Sequence, residues 1–212
     1  MRRDSPTYVL PTFQQSLHSI TNTSPLQFDN LQPVPLVTLS PTGEYKDLYY
    51  QGFATIEAGV AGIETGIKPE SESNVIVSGF NTELLDGPPT FYAEYADSEI
   101  KDFSLKSLYY GCTLATLETV ASVPVACTIK ATACAEEDGV PVASQEFEFN
   151  PDALVAPMEM VEFGKGFEHV KKVQFDTTAT ADEVVATLFD DVSYEVFKKN
   201  PFEEKFGGEK HE

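Results

Sequence analysis

The chain has no tryptophan, three cysteines, three histidines and few cations. Fourteen Lys and Arg stand against 34 Asp and Glu in 212 residues, a formal charge of −20. The shortage of positive charge excludes nucleic-acid binding, because phosphate recognition needs a basic stripe and no Lys/Arg cluster here is large enough. It equally argues against adsorption to anionic membranes. No apolar run approaches the roughly 18 residues that span a bilayer, so no transmembrane helix is expected. The signatures GxSxG, P-loop, HExxH and GxGxxG are absent. Of His18, His169 and His211, only His169 lies outside the terminal segments. A Ser-His-Asp set would have to rest on it, and a turn or solvated histidine is the simpler reading. An odd number of cysteines does not make a disulfide scaffold. A metal site built on all three thiolates lacks the CxxC pair or nearby histidine it would need. The first eleven residues contain no apolar leader core, so the protein is either cytosolic or has lost a leader.

What the chain does contain is short alternating segments between turn residues. Residues 1–24 are polar and read as an extended arm. Residues 26–31 alternate and read as a first strand. Prolines at 33, 35 and 41 favour loop or edge structure. Further strands are expected at 48–53, 74–79, 90–95, 103–110, 125–133, 142–149, 170–176 and 187–196. Residues 54–72 read as a long loop or two short edges. The best hairpin joins 125–133 to 142–149 through Asp138-Gly139. Short helices at 152–161 and 182–189 are the alternatives to strand. Residues 198–212 form a charged tail. The pattern fits an all-β antiparallel sandwich, a jelly roll, over residues 25–197.

The cysteines fall within one 23-residue stretch, Cys112 to Cys134. Cys127 and Cys134 differ by an odd number of positions, so on one strand they face opposite ways and cannot bridge. A Cys112–Cys127 bond across a hairpin is the better pairing, leaving Cys134 free. Three reduced, buried thiols are the other reading.

Several segments, taken in order, resemble a family of fungal secreted and bacterial surface jelly-roll proteins. Leu26-Gln-Phe-Asp-Asn-Leu31 looks like its first strand, and Leu48-Tyr-Tyr-Gln-Gly-Phe53 its G-L-x-W-x-x-F segment without the tryptophan. Phe103 to Cys112 is similar to F-D-L-x-S-x-Y-F-G-C, and Val123 to Ile129 to V-P-x-x-C-x-I. Leu188-Phe-Asp-Asp-Val-Ser-Tyr194 resembles the closing L-x-D-N-V-x-Y. The missing Trp and the additional Cys134 depart from the pattern. The resemblance implies a secreted fold like that of non-catalytic carbohydrate-binding modules, mostly of unassigned function. It also implies a structural calcium between first and last strands, which would place Asp29 and Asp190 beside it.

Leu188, Asp190, Val192, Tyr194 and Val196 share one parity, so Asp190 falls in an apolar row. Its charge needs backbone donors, a Lys or Arg, or a metal. Among the aromatics, Tyr49, Tyr50, Tyr92 and Tyr95 are the candidate ligand-binding residues, since sugar rings stack their C–H faces on phenol faces. Half of each alternating set should be core instead. The function expected is a secreted binding module for a polysaccharide or cell-surface glycan. A structural or host-interaction surface protein without small ligand is the alternative. A glycoside hydrolase is the weaker one, because 34 acids offer many pairs and nothing singles one out.

Overall fold

The computed structural model describes residues 19–20, 27–31, 41–57, 66–71, 74–115, 123–136, 139–179 and 184–199. Thirteen strands lie among them: β1 (Ser19–Ile20), β2 (Pro41–Tyr45), β3 (Leu48–Glu57), β4 (Ile67–Lys68), β5 (Asn74–Ser78), β6 (Thr90–Tyr92) and β7 (Ile100–Leu114), then β8 (Cys127–Cys134), β9 (Pro141–Phe149), β10 (Ala156–Pro157), β11 (Glu159–Glu162), β12 (Lys172–Ala179) and β13 (Val185–Lys198). One helix, α1 (Phe80–Asp86), and two 3-10 turns, Phe28–Asn30 and Lys165–Phe167, accompany them. The protein is all-β. Eleven strands make one sheet, ordered β11-β7-β13-β5-β3-β6-β12-β8-β9, with β1 added to β13 and β2 to β3. Its pairs are antiparallel; β10 and β4 form a separate, short parallel pair.

This sheet doubles back to form the two layers of a sandwich, and β3 is the corner. Its first half pairs with β6 at Tyr49–Gln51 and its second with β5 at Ala54–Glu57. Between them sits Gly52 at φ +72. A Cβ there would lie 2.4 Å from the Gly87 carbonyl oxygen, so backbone sterics as well as the left-handed φ demand glycine. The Gly52 N–H donates to the Asp86 carboxylate at 2.9 Å, tying the corner to the end of α1.

The core is aromatic and lies between the layers. Phe175 of β12 and Phe189 of β13 stack at 4.8 Å, with Phe53 and Phe91 completing the group. All four are at most 1% exposed. Burying each contributes about 1.5–3 kcal/mol. At the far end Tyr110 of β7 meets Phe147 of β9 at 4.6 Å and donates its hydroxyl to the Glu148 carbonyl.

Cys112 and Cys127 are bonded, and Cys134 is free and buried. The pairing is the expected one, but the hairpin behind it is not there. Strand β7 pairs with β11 and β13, and β8 with β9 and β12. The bond therefore links the two layers. The approach comes from Val125, whose N–H donates to the Cys112 carbonyl as the chain crosses over.

Other expectations need correction. Residues 26–31 do not form a first strand: Phe28–Asn30 is a 3-10 turn, because the buried Asn74 amide donates to the carbonyls of Phe28, Asp29 and Leu31 and curls the chain. The alternative helices at 152–161 and 182–189 are absent, since β10 and β11 occupy the first and β13 begins at Val185. Strand β3 runs on to Glu57 into the expected loop. Helix α1 was not anticipated; Thr82 closes its first turn by accepting from the Gly79 N–H and donating to the Gly79 carbonyl. Ser19–Ile20 pairs with β13 where an arm was expected. The rest of that arm, the prolines at 33 and 35 and residues 200–212 of the tail lie outside the described residues.

Candidate functional site

Two regions gather the residues singled out in the sequence. The first is the outer face of the layer containing β3, β6 and β12. Strand register places Glu44, Tyr49, Tyr92 and Lys172 side by side across four strands. Directly opposed residues share a face, and here it is the outward one, because the neighbouring row of Tyr50, Phe91 and Val173 is fully buried. Tyr95, in the turn after β6, brings its ring to 6.3 Å from that of Tyr49, with the planes 36° apart. Tyr49, Tyr92 and Tyr95 are all half-buried, each presenting part of its ring to solvent.

Tyr50 does not join them. It is 0% exposed and packs edge-on against Phe91 at 4.8 Å and Phe28 at 5.7 Å. The period of two along a strand turns it to the core. One step further along the strands runs a second row, Gln51, Thr90, Gln174 and Thr132. Its amides and hydroxyls lie beside the tyrosines, roughly 7 Å away by strand rise. Sequence reading missed this row, although Gln51 shares the parity of Tyr49.

The phenols meet carboxylates. Burial and then the Asp86 charge raise the Tyr49 hydroxyl above the usual phenol range. Burial, then the charge and hydrogen bonding of Glu44, raise Tyr95, with Asp47 adding to the effect and a Ser98 hydrogen bond opposing it. Both hydroxyls therefore stay protonated at neutral pH, that of Tyr95 donating to the Glu44 carboxylate.

The second region is an acidic corner where the Phe28–Asn30 turn meets β13. The strand bulges after Asp190, with Asp191 at φ +44. Asp190 is 0% exposed. Of the three partners foreseen for its charge, the first is present. It accepts from the Ser71 N–H at 2.8 Å, the Ser71 hydroxyl at 2.9 Å and the Asp191 N–H at 2.8 Å. Burial still pushes its carboxyl upward, against those hydrogen bonds. Asp29 accepts from the Asn74 N–H at 3.0 Å. Asp191, which sequence reading did not single out, has a buried Oδ1 without a hydrogen-bond partner. Burial and the charges of Asp190, Glu70 and Asp29 push its carboxyl up to about 6. Among the described residues, no three Asp, Glu, His or Cys side chains are already gathered as metal ligands.

His169 occupies a left-handed turn position, φ +53, with its ring more than half exposed. Its Nδ1 lies 2.9 Å from Asp102, and its ring stacks on Phe197 at 4.2 Å. The Ser104 hydroxyl accepts from the His169 backbone N–H. No Ser-His-Asp relay is formed by these three. No helix among the described residues is long and apolar enough to cross a membrane.

No protein-family model matches the chain, and no curated protein does. Among solved structures, it is similar to a DUF4465 family protein from Bacteroides caccae ATCC 43185, at 14% identity and a TM-score of 0.46, over 72% of this chain and 80% of that one.

Proposed function

We propose that this chain is a secreted, non-catalytic module that binds an extracellular glycan on the outer face of β3, β6 and β12. The observation that carries the reading is the half-exposed group Tyr49, Tyr92 and Tyr95 beside the row of Gln51 and Gln174. Phenol faces stack on the C–H faces of sugar rings, and side-chain amides serve as both donors and acceptors for sugar hydroxyls. An open sheet face suits a polymer, which needs no deep pocket. The Cys112–Cys127 bond supports secretion, because structural disulfides persist in oxidising compartments. The test is a glycan array followed by titration with Tyr49→Ala/Tyr92→Ala. Affinity should fall at least about tenfold with an unchanged circular dichroism spectrum, each lost stack costing about 1 kcal/mol or more. Undiminished binding by the variant, or an array without hits, would end the proposal.

Structural calcium is the second part of the reading. The orphaned buried oxygen of Asp191, next to the charges of Asp29, Glu70 and Asp190, fits a hard cation that takes six to eight oxygens. Asp29 and Asp191 would hold it, with Glu70 and Asp190 near by. Asp190 contributes less directly, since Ser71 already occupies its oxygens. Bound calcium would neutralise like charges and brace the turn against β13.

A surface-interaction protein is the second reading. Phe80, Leu84 and Leu85 of α1 stand 59%, 74% and 69% exposed, an apolar surface that sugar binding does not use. Loss of binding to intact cells in Leu84→Asp/Leu85→Asp, but not in the tyrosine variant, would favour it.

A further inference from the structure

We infer that the tyrosine face selects a glycan carrying protonated amino groups, a polymer of 2-amino-2-deoxyhexose, over neutral and uronic-acid polymers. This rests on the glycan-binding reading above. Carboxylates rim the phenols: Glu44 is in register with Tyr49 on β2, and Asp47 sits in the β2–β3 turn. Asp86, at the end of α1, acts electrostatically on Tyr49, while Glu44 and Asp47 act on Tyr95.

The cations near by are largely committed. Lys171 is held by Glu94 at 3.2 Å and Glu136 at 2.9 Å, and Lys46 hangs 6.0 Å over the Tyr45 ring. Lys172 stands on the opposite side of Tyr92 from Tyr49 and Glu44. An ammonium on a sugar stacked here would meet a phenol face and a carboxylate rim, both favourable. A uronate would meet charges of its own sign, within a molecule of net charge −20.

The experiment titrates the intact chain with three oligosaccharides of equal length: oligoglucosamine, its N-acetylated counterpart and oligogalacturonate. The amino oligomer should bind roughly tenfold tighter than the N-acetylated one at about 50 mM salt, and the gap should narrow at about 300 mM. The uronate should not bind. Glu44→Gln/Asp47→Asn should bring the first two within about twofold, chiefly by weakening the amino oligomer. Tyr49→Ala/Tyr92→Ala should abolish both. If the amino oligomer keeps its advantage in the tyrosine variant, the attraction is only general surface charge and the inference is overturned. Equal binding of amino and N-acetylated oligomers, or binding of the uronate, overturns it while leaving the glycan-binding reading in place. If no oligomer binds, the inference is overturned, and the array decides the glycan-binding reading.

Discussion

Tyr49 and Tyr50 are chain neighbours with opposite environments, and substitution should separate them. Tyr49 lies on the outer face, whereas Tyr50 fills the space between Phe28 and Phe91. Tyr50→Ala should cost about 3–5 kcal/mol by opening a core cavity, lowering the melting temperature by roughly 10 °C. Tyr49→Ala should move it by no more than about a degree or two while lowering glycan affinity about fivefold or more. At the acidic corner, Asp191 has a folded pKa raised to about 6, above its ordinary 3.8. Between those values the folded state binds more protons than the unfolded one. The stability this group contributes is therefore full below about pH 4 and is lost as pH rises through about 6. In chelator, wild type should melt at a lower temperature at pH 7.5 than at pH 5, and Asp191→Asn should flatten the difference. Excess calcium should reverse the trend, adding about 2.7 kcal/mol at a hundredfold excess over Kd. Melting curves indifferent to calcium at pH 7.5 would remove the ion and leave Asp190 as a carboxylate satisfied by Ser71.

At the level of elements, the corner in β3 and the inter-layer bond carry the architecture. Gly52→Ala imposes a left-handed φ on a residue with a side chain and drives a Cβ to 2.4 Å from backbone oxygen. The φ alone costs about 1–3 kcal/mol, and the collision must be relieved by moving the Gly87–Pro89 turn. The variant should melt at least about 5–10 °C lower by differential scanning calorimetry, or fail to accumulate as soluble protein. An unchanged melting point would mean that β3 has no corner at Gly52. The disulfide closes a short loop but joins distant sheet positions. Cys112→Ala/Cys127→Ala should destabilise by about 2–4 kcal/mol, largely through a freer unfolded chain. Cys134→Ala should have a much smaller effect, which makes it the control in chemical denaturation.

Across the molecule, 34 acids and 14 bases produce a self-repelling surface. Raising salt from about 10 to 300 mM shortens the screening length from about 30 Å to well under 10 Å. The melting temperature should therefore rise by a few degrees, unlike that of a protein held together by surface ion pairs. The same charge opposes self-association through the exposed Leu84 and Leu85 of α1.

Alternation of side chains was enough to read the all-β class, the 125–149 hairpin, the burial of Asp190 and the near-neighbours Cys112 and Cys127. These depend on local periodicity, turn residues and parity, which the chain carries within about ten or twenty positions. The bond between the cysteines was legible as a pair and misread as a hairpin, because spacing does not reveal that β7 and β8 belong to facing layers. The residues around Phe28 alternate like a strand, yet Asn74, forty-six positions away, supplies the amide that turns them. Tyr49 and Tyr50 look alike in the sequence, and only the partner strand β6, with Phe91 beneath and Tyr92 above, decides which is core. The glutamine row and the charge pressing on Asp191 are likewise products of register and of a bulge. They bring residues together across strands, and no local pattern encodes that proximity.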